Sequence, residues 1–264
     1  MTPEHKNYIK NKKKEKLKIF IGQITIFILF IFIWQILVNL KIINSFILSS
    51  PKNIIKTIIN LYEKKMLLNH IYITLIETFI SFVISMIISI LLASILWYYP
   101  KLAKIIDPYL TIINSLPKVA LGPIILIWFG TNIKSVIIMA ILISSIVLTI
   151  NIYNGFNNID NSKIKLIQSM TPNKWKLYKY LIFPSNIGTI ISNLKICISM
   201  SLIGIIMGEF LVSKKGIGYL ILYGSQVFNL DLVMTGIIIL CILATSLYYI
   251  IYYIEKKYNK KSGK

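Results

Sequence analysis

Glu77, Lys118, Lys195 and Glu209 stand inside stretches otherwise made of Ile, Leu, Val, Phe and small residues. A charge in such surroundings is costly unless it faces a partner or a polar path, so each marks a position with work beyond packing. Lys118 lies between Pro117 and Pro123, with Gly122 beside the second proline. Pro inside a helix removes a hydrogen bond and bends the rod, and broken helices at membrane depth are tolerated where they are buried in protein or line a cavity. A packing kink and the wall of a pathway fit the two prolines equally. Lys118 favours the pathway, and Lys195 is the second cation to consider for it; a shallow Lys118 that reaches the surface is the alternative. Glu77 and Glu209 are candidates for structural or gating roles. Glu209 precedes "SKKGIGYLI", and the expectation is that it holds the Gly216–Gly218 turn through Lys214 or Lys215.

These residues form no catalytic set. There is no Ser/His/Asp constellation, no metal-ligand cluster and no glycine-rich phosphate loop ahead of a Lys-Ser/Thr pair. The chain is therefore expected to be no enzyme, to bind no cofactor and to have no ATP site. Cys197 and Cys241 both lie in apolar runs, which argues against a disulfide or a metal site. His5 and His70 are far apart and lack ligand-like neighbours.

The elements that position these side chains follow from composition. Of the 264 residues 56% are hydrophobic and 14% charged, against about 25% charged in an ordinary soluble domain. The mean hydropathy is +0.73. Repeated apolar runs of about 20 residues place the chain in a bilayer. The net charge of +20 is carried by Lys alone, and those Lys cluster in the tails and between the apolar runs. A nucleic-acid module would instead show a basic face on a soluble domain, so nucleic acid is not an expected partner.

Six spans emerge, near 19–40, 70–98, 103–128, 133–153, 185–212 and 232–254. The first is too long for a signal-peptide core and has no small-residue cleavage site, so it reads as a retained helix. The expectation is an all-α polytopic membrane protein in three parts: a basic tail 1–18, a six-span unit 19–254 and a basic tail 255–264. With both termini inside, 19 of the 29 Lys fall in cytoplasmic segments and seven in outside ones, the asymmetry expected of an N-in, C-in chain. That topology puts Glu77 near the outer face and Lys195 near the inner one, too far apart to pair. "SPKNIIKTIINLYEKKML" reads as a short amphipathic helix with Pro51 in its first turn. Asp231 reads as the N-cap of the last span. Ser81, Ser85, Ser89 and Ser94 recur at helical spacing, suited to close helix contact.

Between spans four and five lies a basic interruption, "SKIKLIQSMTPNKWKLYKYLIFP", within a loop at 155–184. Asp160, Asn161 or Ser162 can cap a helix running to about Met170. Thr171 as N-cap and Pro172 at the first position suit a second helix ending near Phe183, before Pro184. Trp175, Tyr178 and Ile182 share a face of that helix. A hairpin lying on anionic lipid and a docking element for a cytoplasmic protein fit this pattern equally.

The sequence resembles the permease subunits of ABC importers, in particular the nitrate, sulfonate and taurine group that includes thiamine-precursor and riboflavin transporters. The likeness spans about residues 48–255. It is carried by "LPKVALGPIILIWFG" (116–130), "NIYNGFNNID" (151–160) and "IGIIMGEFLVSKKGIGYLI" (203–221). The family's cytoplasmic motif, Glu-Ala-Ala, then Gly, then Ile-x-Leu-Pro, aligns on Pro184. It then falls on Lys165, Leu166 and Ile167, on Thr171, and on "LIFP". Lys165 and Thr171 depart from the motif. Glu77 departs too, where the family often has a basic residue.

The resemblance implies coupling helices at 162–183 that carry Lys165, Leu166, Ile167, Thr171, Pro172, Trp175, Tyr178 and Pro184. It also implies a homodimer of permease chains in a prokaryotic plasma membrane, cytoplasmic ATPase subunits that hold ATP and Mg, and an extracytoplasmic solute-binding protein. The cargo is then a small anionic or heterocyclic solute. The competing class is an ion-gradient-driven transporter or channel. Such proteins show paired intramembrane acids, inverted repeats or a selectivity loop, and no repeat is visible here.

Overall fold

The apolar runs become helices whose ends fall where the chain supplies caps, prolines or glycines. The computed structural model describes residues 3–42 and 44–261, and every regular element among them is helical. The side chain of Lys118 lies outside the described residues. Helix α1 (Pro3–Asn39) joins the basic N-terminal residues and the first apolar run in one rod. The rest of the chain buries none of its apolar stretch, as suits a helix facing lipid on most sides. A single turn, α2 (Ser45–Leu48), leads to α3 (Pro51–Glu63). The Ser50 hydroxyl caps α3 by accepting from the Asn53 amide at 3.1 Å. Pro51 sits where no amide is needed, and Ile54 and Leu61 form the buried stripe that the amphipathic pattern predicts.

The packed centre consists of α4 (Met66–Tyr98), α7 (Ile133–Asn157) and α10 (Phe183–Val212). The serine row of α4 faces α7. Ser81, Ser85 and Ser89 are fully buried; Ser144 donates to Ser85 at 2.6 Å, and Ser89 donates to the Ser145 carbonyl at 3.0 Å. Between α7 and α10 the contact is backbone to backbone. A Cβ on Gly204 would lie 2.4 Å from Ala140 Cα, and one on Gly208 2.8 Å from Val136 Cα. Small residues four apart permit this approach, which dispersion then stabilises where lipid offers no hydrophobic drive.

The expected third span, 103–128, is not one kinked helix. It is a pair, α5 (Pro100–Ser115) and α6 (Gly122–Phe129), joined by a 3₁₀ turn at Lys118–Leu121, and the two arms meet at 92°. Leu116 is extended (φ −67°, ψ 142°) because the ring of Pro117 disfavours helical geometry in the residue before it. Pro123 then occupies the first turn of α6. Gly130, at φ +78°, ends α6, and Asn132 caps α7 by accepting from the Lys134 and Ser135 amides at 2.8 and 3.3 Å. The six expected spans thus become α1, α4, the bent pair, α7, α10 and α12.

After α10 the chain turns through α11 (Ile217–Gln226) into α12 (Leu230–Lys261). Asp231 is not the cap of α12. Asn229 fills that place, accepting from the Leu232 amide at 3.1 Å. Asp231 sits in the first turn and accepts from the Ser49 hydroxyl at 2.6 Å and the Asn53 amide group at 3.3 Å, tying the start of α3 to α12.

Candidate functional site

The two ends of α10 hold most of the residues singled out by sequence. At its N-terminal end lies the basic segment. Helix α8 (Asn161–Met170) is capped by Asp160, which accepts from the Ser162 amide at 2.9 Å. That hydrogen bond holds the exposed Asp160 carboxyl below the usual carboxylate range. Thr171 is extended (φ −155°, ψ 122°) and ends α8. It does not cap the next helix. The start lies two residues on, at Asn173, whose side-chain oxygen accepts from the Trp175 and Lys176 amides at 2.9 and 3.3 Å.

The second helix does not stop at Phe183. α9 (Lys174–Leu177) widens into a π turn at Tyr178–Ile182 and runs into α10. The Phe183 amide reaches back five residues to the Tyr178 carbonyl, so Pro184, which has no amide to give, is absorbed without a break. Lys174–Val212 is therefore one 39-residue rod. The basic segment is the direct extension of the fifth apolar span.

Tyr178 fastens this extension to the bundle. Its hydroxyl is 2.6 Å from Ser94 Oγ on α4. Its ring packs with Trp97, Phe156, Trp175 and Phe183 at centroid distances of 5.6, 6.0, 5.7 and 5.9 Å. Lys174 donates to the Tyr98 carbonyl and lies over the Trp97 and Tyr98 rings. Leu177 and Ile182 are buried. The face expected from Trp175, Tyr178 and Ile182 is thus divided: Ile182 and the Tyr178 ring turn inward, and Trp175 turns out. What faces away from the bundle is apolar at its centre, with Leu166 62%, Met170 77% and Trp175 58% exposed. Lys163, Lys165, Lys176 and Lys179 on the same segment are exposed, as is Pro172. Ile167 and Thr171 are half-buried. A cavity of about 410 Å³ separates this hairpin from the end of α4, lined by Trp97, Pro100, Gln168, Thr171, Asn173 and Lys174 among others.

At the other end of α10, Glu209 is fully buried. It accepts from the Thr74 hydroxyl at 2.6 Å and from the Gly218 amide. Thr74 in turn accepts from the Ile217 amide at 2.9 Å, and His70 Nδ1 from the Gly216 amide at 3.0 Å. Glu209 therefore holds the turn through backbone amides, while Lys214 and Lys215 are exposed. Gly216 is needed twice over: its φ is +102°, and a Cβ there would lie 2.2 Å from Glu209 Oε1. At Gly218 a Cβ would come within 2.9 Å of the same side chain. Glu77 is 2% exposed and stands one turn along α4 from Thr74, whose hydroxyl donates to Glu209.

The remaining candidates are placed separately. Pro117 and Pro123 form the exposed corner between α5 and α6. Lys195 pairs with Glu255 on α12 at 2.6 Å, and Ser192 donates to the same carboxylate at 2.8 Å. The Tyr248 and Tyr252 rings each lie 5.9 Å from the Lys195 ammonium. Sequence reasoning passed over Glu255, Thr74 and the Gly204/Gly208 contact, and gave His70 and Ser94 no such partners. Only the glycine contact has a local signature, the two glycines of "GIIMG". Among the described residues no group of three or more His, Cys, Asp or Glu could hold a metal ion.

Residues 85–260 match the family described as "Binding-protein-dependent transport system inner membrane component", and the chain belongs to that family. It is a multi-pass membrane protein and the permease subunit of an ABC importer; the permease component is not itself the enzyme of such a system. Its relatives include a probable ABC transporter permease protein of Haemophilus influenzae, 25% identical over 82% of this chain and 88% of that one. The formylaminopyrimidine transport permease protein ThiX of Halalkalibacterium halodurans is 28% identical over 73% and 76%. In fold, the chain resembles an inward-facing structure of the MetNI methionine ABC transporter, with a TM-score of 0.64 at 16% identity over 74% of this chain and 97% of that one.

Proposed function

We propose that this permease moves a small anionic or heterocyclic solute into the cell as a homodimer, with both termini cytoplasmic, and that a cytoplasmic ATPase subunit docks on residues 162–183. The observation that carries the reading is the exposure of Leu166, Met170 and Trp175 together with four Lys on a segment continuous with α10. An amphipathic surface of this kind suits a protein groove with an acidic rim. Its rigidity gives the contact a consequence. A push on α9 is delivered to the whole of α10, because no flexible joint intervenes, and through Tyr178 to the ends of α4 and α7. ATP and Mg belong to the partner, which supplies the energy. A solute-binding protein on the opposite face would favour the same state of the permease that ATP favours, since coupling between two sites is reciprocal. The solute class draws support from relatives named for formylaminopyrimidine and aliphatic sulfonate transport.

The test is co-purification from membranes. The unaltered chain is expected to retain an ATPase subunit. The double variant Leu166→Glu, Met170→Glu, with both changes on exposed positions, is expected to insert equally well and to lose that subunit. Retention by the double variant removes this surface as the docking site. Solute uptake into liposomes driven by an ion gradient, with no ATPase present, would instead favour the gradient-driven class.

A further inference from the structure

Glu77 and Glu209 are far apart in sequence, and the packing of α4 against α10 sets Glu77 one turn beyond Thr74, whose hydroxyl donates to Glu209, with both carboxyls away from solvent. Their surroundings differ. Glu209 receives the Thr74 hydroxyl and the Gly218 amide, donors that stabilise an ionised carboxylate. Neither oxygen of Glu77 is reached by any donor among the described residues, although the side chain is 2% exposed. Two ionised carboxylates buried this close together would repel, and the undonated one would be left as a bare buried charge. One proton resolves both problems, because an un-ionised Glu77 becomes the donor to Glu209.

We propose that Glu77 and Glu209 form a proton-binding site inside the membrane domain, with the proton resident on Glu77 and hydrogen-bonded to Glu209, and that this proton keeps the 216–218 turn seated on α4. Removing it places a second negative charge against the carboxylate on which the turn hangs. A sodium ion is a poorer occupant. The Thr74 hydroxyl already donates to Glu209 and accepts from the Ile217 amide, and Glu209 already accepts two hydrogen bonds. What is left unmet is the pair of undonated Glu77 oxygens, a need that a single proton answers.

The other titratable groups on the packed elements are few. On α4, His70 uses Nδ1 to accept from Gly216, so protonating it in acid would weaken the turn, an effect of opposite sign. Tyr219 of α11 stacks on His70 at 6.0 Å. Lys214, Lys215 and, at the start of α7, Lys134 are exposed. Asp231 of α12 is engaged by Ser49 and Asn53.

A group that binds its proton more tightly when folded stabilises the fold at low pH, and that stability is lost as the pH rises through the folded-state value. The experiment is thermal unfolding of the full-length, detergent-purified chain from about pH 6 to about pH 9, together with infrared absorption of un-ionised carboxyl groups at neutral pH. In the unaltered protein the Tm is expected to fall by on the order of 5 °C toward the alkaline end, and an un-ionised carboxyl band is expected. Glu77→Gln keeps a neutral donor to Glu209; it should lose the band and flatten the alkaline fall. Should that variant not accumulate, Glu77→Asp keeps the carboxyl and should shift the band. The absence of a band in the unaltered protein overturns the proposal without any variant. So does an unchanged band or an unchanged alkaline fall in Glu77→Gln. A Tm that instead depends on sodium, measured against choline at constant ionic strength, assigns the site to a metal ion and overturns it as well. None of these readouts depends on an ATPase or on transport, so failure here leaves the docking proposal untouched.

Discussion

The two ends of α10 meet the same difficulty, how to secure a turn against a helical bundle, and meet it with opposite chemistry. At the 159–184 end the securing groups are aromatic. Tyr178 packs among four rings and spends its one hydroxyl on Ser94, and the surface beyond is left open, apolar and cationic. At the 213–218 end the securing group is a buried carboxylate that takes up backbone and hydroxyl donors, and glycines leave it room. The aromatic end distributes its hold over many weak contacts and keeps a face free for a partner. The carboxylate end concentrates its hold in a few buried hydrogen bonds, which Glu209, Thr74 and His70 accept from the turn. A docking surface calls for the first arrangement, whereas a point whose strength depends on ionisation calls for the second.

That contrast predicts unequal sensitivity to small changes. Gly216→Ala should be the most damaging, since the left-handed backbone conformation costs about 1–2 kcal/mol and the clash with Glu209 about 1–3 more. A thermal melt of the purified chain would show it, and a melt shifted by less than a degree or two would mean that the turn is not held as described. Tyr178→Phe should cost about 1 kcal/mol, the worth of one buried hydrogen bond, because the ring contacts survive. A change near zero would place the whole of the anchoring in the rings. Lys195→Met should cost less, about 0.5 kcal/mol, because the pair with Glu255 is partly open to solvent and screened; a double-mutant cycle with Glu255→Gln isolates that contribution.

The smallest effect is expected at Asp160. Its carboxyl is held below the usual range, so its capping of α8 is present above that range and fades only as the pH falls through the folded-state value. Asp160→Asn retains a capping oxygen, and hydrogen exchange at the Ile164 amide should then be independent of pH in the acid range, apart from the intrinsic chemistry of exchange.

Much of the architecture is written in short stretches of the chain. Ser50, Asn132, Asp160 and Asn173 cap helices within three residues of themselves, and Pro117 and Gly130 break them where they stand, because a cap or a ring clash acts over a single turn of backbone. The length of the apolar runs reports the spans for the same reason, since burial in lipid is read one segment at a time. Some local readings still failed. Thr171 and Asp231 looked like caps but have neighbours, Asn173 and Asn229, that reach the amides first. Pro184 looked like a stop, but a π turn supported by the Tyr178 anchor carries the helix past it. Contacts between distant segments have no such local trace. Thr74 and Glu209 lie 135 residues apart, and Lys195 and Glu255 belong to different spans. A linear reading gave Lys195 no partner and assigned Glu209 the wrong ones, and each acquires its partner only when α4, α10 and α12 pack. Their meeting depends on how the helices pack across the bundle and not along the chain. Gly204 and Gly208 against Ala140 and Val136, and Gly216 and Gly218 against Glu209, show how such approaches are set between distant segments.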